Sequence, residues 1–165
     1  MKPLMTIVIL LLSWAFAGAQ TPNPTTKTKP VSPFAEYAGY WTSDFEGHTW
    51  LVLRLELQGN QLHGSLSRPQ KIDLNDSGEL KSVSEEQSTE TLVDAVVNPD
   101  GLLLTLNDND TKESDRYMMR FATPTKDAAD LKMIGMAMPP GMPKPKPWRV
   151  VRRNVASPPL TNGPR

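Results

Sequence analysis

Leu51, Leu53, Leu55 and Leu57 alternate with Val52, Arg54 and Glu56. Successive strand side chains point to opposite faces, so this period of two predicts a half-buried strand. Gln58-Gly59-Asn60 turns the chain, after which Leu62, Gly64 and Leu66 share one face and Gln61, His63 and Ser65 the other. Ile72 and Leu74 mark a short strand closed by the turn cluster Asn75-Asp76-Ser77-Gly78. Glu90–Val97 predicts another strand, and Asn98-Pro99-Asp100-Gly101 is a turn with Gly where a left-handed residue is wanted. Leu102, Leu104 and Leu106 then alternate with Leu103, Thr105 and Asn107. Tyr117, Met119 and Phe121 alternate with Arg116, Met118 and Arg120. Leu131, Met133 and Gly135 alternate with Lys132, Ile134 and Met136, and Trp148–Arg152 is a last short strand. The polar run Lys81–Ser88 predicts a helical turn or a loop. About eight to ten short strands separated by turns predict an all-β fold, a small antiparallel up-and-down barrel or sandwich.

The ends of the chain read differently. Met1-Lys2-Pro3 is followed by an apolar run, Leu4–Phe16, and by Ala17-Gly18-Ala19. That is the pattern of a secretory signal cleaved before Gln20, with an apolar run short for a membrane span. Residues 20–33 form a Pro/Thr-rich tether without apolar period, and residues 154–165 a Pro/Gly-rich tail. The expected folded unit is 34–153, in a periplasmic or secreted protein with no membrane span after signal removal.

Charge and composition then narrow the chemistry. The chain carries 18 Lys+Arg against 18 Asp+Glu; loss of Lys2 with the signal leaves 17 against 18, a net of −1. Such a chain has no global field to draw in nucleic acid. It has no cysteine, which excludes disulfides, thiolate catalysis and thiolate-bound metal. A domain without disulfides must stand on its apolar core. Asp73-x-Asn75-x-Ser77-Gly78 resembles half a calcium loop, but Ser84 stands where the twelfth-position Glu would be needed. Asp108, Asp110, Glu113 and Asp115 read as a solvated acidic loop. His63 and Ser65 share a strand face without an elbow, an oxyanion hole or an orienting acid, so a non-enzymatic protein is expected.

Gly39-x-Trp41 opens the first strand, and Arg149 and Arg152 lie on the last. A G-x-W on strand one with a basic residue on the final strand resembles the calycins, the lipocalins and their relatives. The resemblance implies an up-and-down barrel whose tryptophan plugs one end, with the arginine over its ring. It also implies a small apolar ligand inside the barrel. Two departures are the missing disulfide and the Pro-rich Met138–Pro147 where many lipocalins carry a long helix.

Two further features bear on binding. Met133, Met136, Met138 and Met142 lie within ten residues, closely followed by Trp148. Thioethers select Cu(I), so copper binding is one reading; methionine as gap filler is the other. The faces opposite the inward leucines carry Leu103, Met118, Ile134 and Met136, rimmed by Arg116, Arg120 and Lys132. If the three strands form a meander, these apolar residues meet outside the barrel and must be covered. The cover is either the Met138–Pro147 segment or a partner. The sequence therefore predicts a binding module for a small apolar ligand or an envelope protein, with periplasmic Cu(I) binding as the alternative.

Overall fold

The computed structural model describes residues 31–135, 141 and 143–154. The expected signal, most of the tether, nearly all of the tail, and Met136, Met138 and Met142 lie outside the described residues.

The strands are β1 (Gly39–Phe45), β2 (His48–Gln58), β3 (Gln61–Pro69), β4 (Ile72–Leu74), β5 (Leu80–Val83), β6 (Gln87–Asn98), β7 (Gly101–Asp108), β8 (Ser114–Phe121), β9 (Ala128–Ile134) and β10 (Trp148–Arg153). Eight close into an antiparallel up-and-down barrel in the order β1-β10-β9-β8-β7-β6-β3-β2, and β4-β5 form a separate two-stranded hairpin. Closure leaves the barrel with no free edge. Among the described residues no helix is long and apolar enough to cross a membrane.

The period of two works as expected. Leu51, Leu53, Leu66, Leu102, Leu104, Leu106, Met119 and Leu131 point inward with no accessible surface. Where β3 pairs with β2, Gly64 is required: a Cβ there would lie 2.1 Å from the Arg54 backbone oxygen.

One end of the barrel is plugged. Trp41 is fully buried, and its Nε1 donates to the Tyr37 carbonyl at 3.0 Å. Tyr37 stacks on Phe121 with ring centroids 4.6 Å apart. The Arg152 guanidinium sits 4.5 Å from the Trp41 ring centroid, while Arg149 pairs with Asp130 at 2.7 Å. Gly39 has φ +149°, a backbone conformation other residues resist, with the Arg152 side chain 3.5 Å from where a Cβ would stand.

Two local departures break the regular strand register. A bulge between Ser43 and Asp44 leaves Trp50 as the extra residue, facing Ser43 opposite Leu51 and Asp44 opposite Thr49. A second irregularity between Leu92 and Asp94 carries the exposed Val93. The Lys81–Ser88 stretch contains no helix: residues 81–83 complete β5, and β6 already begins at Gln87. Ile72, Leu80 and Val83 of this hairpin pack against the core cluster, which fixes a polar segment as strand where its own period is too short to read.

Candidate functional site

The outer wall gathers most of the apolar residues expected there. Leu103 on β7 lies directly opposite Met118 on β8. On the other side of Leu103, β6 places Val96 opposite it. Val96, Leu103 and Met118 thus form one row across three strands, continued by Lys132 opposite Met118 on β9. Ile134 lies opposite Arg116, one diagonal step from Met118. Leu103, Met118 and Ile134 are half-buried, and Val96 is 45% exposed. Side chains opposite or diagonal across a sheet are within contact range, so three of the four expected residues come together and Met136 lies outside the described residues. Neither Arg116 nor Lys132 has an ion-pair partner among the described residues. Arg120 bonds Asp100.

The described part of the Pro-rich segment lies elsewhere. Lys146 donates its backbone N–H to the Gly78 carbonyl at 2.8 Å, and its Nζ meets Glu79 at 2.9 Å. Pro143–Pro147 therefore straps the tip of the β4–β5 hairpin. Asn75 Oδ1 accepts from the backbone N–H groups of Ser77 and Glu79, and Asp73 accepts from Ser82. These oxygens serve the hairpin turn and its strand pair, the use such residues commonly have.

The methionine cluster is only partly in view. Met133 faces inward and packs against the core, opposite Tyr117. His63 lies opposite Glu56 on the outer face of β3.

Beside the strapped hairpin, two tryptophans meet. Trp148 of β10 contacts Trp50 edge-on, with centroids 5.2 Å apart and planes at 85°. The Trp50 Nε1 donates to Ser43 Oγ at 3.1 Å. Both tryptophans line a cleft of about 470 Å³ between the hairpin tip, the strap and the β1–β10 wall.

Inside the barrel, near Tyr117, lies an ionic network that the residue pattern does not announce. Arg68 donates through Nε to Glu90 at 2.6 Å and through Nη2 to Asp115 at 3.0 Å. Tyr117 donates its hydroxyl to Glu90 at 3.2 Å. Glu90 is completely buried, and its Oε2 has no partner among the described residues. Burial pushes the Glu90 carboxyl above its usual range, against the pull of Arg68. Burial alone would weaken the Arg68 charge, but Tyr117 and Glu90 outweigh it and raise its pKa. Asp115 and Asp108 are thus not simply solvated loop residues: Asp115 holds Arg68, and Asp108 accepts from Ser88 at 2.5 Å. Ser88 and three backbone or side-chain donors around the turn hold Asp108 at about 2.

Comparison with protein-family models, with curated proteins and with solved structures finds no match to this chain.

Proposed function

We propose that this chain is an exported, non-enzymatic binding module that docks an envelope protein on the outer wall formed by β6–β9. The observation that carries this reading is the row Val96–Leu103–Met118, flanked by Ile134 and by Arg116 and Lys132, two cations with no ion-pair partner among the described residues. An apolar row rimmed by charge is a contact surface more often than idle surface. These two cations suit a partner whose face sets apolar side chains beside carboxylates. Met118 adapts its shape to such a face at little cost.

The close packing of the described inward residues favours the outer wall over an internal ligand. Trp41, Tyr117, Leu51, Leu53, Leu66, Leu102, Leu104, Leu106 and Leu131 have no accessible surface, whereas barrels that hold a ligand keep a lined cavity. The resemblance to calycins then concerns the plug and the strand order. Export rests on the N-terminal pattern of basic start, apolar run and small residues.

The reading is tested by a photo-crosslinking residue at Leu103 or Met118, compared with one at His63 on the outer face of β3. A discrete crosslinked species in the envelope from Leu103 and Met118, absent from His63 and lost in Arg116→Glu/Lys132→Glu, is expected. Equal crosslinking from all three sites contradicts it.

A further inference from the structure

The cleft beside the strapped hairpin is a second, separate feature, built on β1, β10 and the β4–β5 hairpin and independent of the outer wall. Its inner end is aromatic: Trp50 is 5% exposed, and Trp148 is half-buried with part of its surface on the cleft. Its rim is ionic but already balanced. Glu79 pairs with Lys146, Asp44 with Arg153 at 2.8 Å, and Arg149 with Asp130. Each of these six side chains is between 40% and 57% exposed, so both donors and acceptors remain open to a ligand. Arg153 also donates to Thr42 Oγ1 at 3.1 Å, which fixes it along the cleft wall.

This combination selects a chemistry. A charged ligand gains little here, because every cation of the rim already has its carboxylate and would have to give it up. A hydroxyl both donates and accepts, so neighbouring hydroxyls can bridge a carboxylate and the guanidinium or ammonium beside it without breaking the pair. The carbon-bound hydrogens on one face of a pyranose ring complement the electron-rich face of an indole. A cleft of about 470 Å³ lies within the range of small-molecule sites. We infer that this cleft binds a neutral saccharide, seated against Trp148 and held by the Glu79–Lys146 and Asp44–Arg153 pairs.

The test is a titration of tryptophan emission in the full-length secreted protein with maltotetraose, cellotetraose and chitotetraose, each to about 10 mM, which reaches weak millimolar affinity. A saturable change with at least one of them is expected. It should be weakened about tenfold or more in Arg153→Ala and in Lys146→Ala, the loss usual for a hydrogen bond from a charged group. Both substitutions lie on the exposed rim, and each variant is first shown to keep the wild-type far-UV circular dichroism spectrum at the titration temperature. No saturable change with any of the three sugars overturns the inference. So does binding that both variants leave unaltered. A response to a sulfated heparin disaccharide with none to the neutral sugars also overturns it, in favour of an anion site.

Discussion

The Arg152 guanidinium lies over the Trp41 ring, 4.5 Å from its centroid, and closes one end of the barrel. The stem of Arg152 passes over Gly39, and its Nη2 donates to the Glu36 carbonyl. The plug therefore ties the turn before β1 to the last strand. Trp41→Ala should cost ~3–5 kcal/mol of stability, the usual range for a large buried aromatic. Arg152→Ala should cost about 1–2 kcal/mol, through the lost cation–π contact and stem packing. Urea denaturation of both variants measures this; unchanged midpoints would remove the plug from the account.

Inward and outward residues of β7 should respond oppositely to charge. Leu104 is fully buried and Leu103 is half-buried on the outer wall. Leu104→Asp introduces an unpaired charge into the core and should prevent folding. Leu103→Asp should change stability by about 1 kcal/mol or less. Far-UV circular dichroism with thermal melting distinguishes them, and similar losses in both would mean that the register is wrong.

The Arg68–Glu90 pair should be strongly non-additive. Arg68→Met strands a fully buried carboxyl and should cost ~3–5 kcal/mol, whereas replacing both partners by Met and Leu should cost far less. The double-mutant cycle in urea measures the coupling. Additive losses would show that the two side chains do not depend on each other.

The strap over the hairpin should survive mild acid. The Lys146 ammonium, with Asn75 and Ser77, holds the Glu79 carboxyl down at about 2, against an unfolded value of about 4.3. A carboxylate lowered in this way stabilises the fold fully at neutral pH; the contribution fades as pH falls below about 4.3 and is gone near 2. An NMR titration of the Glu79 side-chain carboxyl should give a midpoint near 2. A midpoint near 4.3 would mean that the latch does not hold in solution.

The inward faces were legible because burial repeats every two residues from Leu51 to Leu57 and from Leu102 to Leu106. The same alternation made the outer Leu103–Met118 neighbourhood legible, since a meander fixes which residues lie opposite. Three things were hidden. The Arg68–Glu90 pair joins β3 and β6, which are neighbours in the barrel although the whole β4–β5 hairpin separates them along the chain. Trp50 turns toward Trp148 through a bulge, and one extra residue leaves no trace in a two-residue period. The strand Leu80–Val83 is short and half polar, and it is held by its hairpin partner and by packing on the barrel.

The most direct measurement of the outer-wall reading is the oxidation rate of Met118 by dilute peroxide, followed by mass spectrometry, in the isolated protein and in intact cells. The internal reference is Met119, which is fully buried on the inner face of the same strand. Met118 should oxidise much faster than Met119 in isolation and be protected about tenfold or more in cells, where the partner covers it. Oxidation of Met118 as slow as that of Met119 in isolation, or equally fast in both settings, would contradict it.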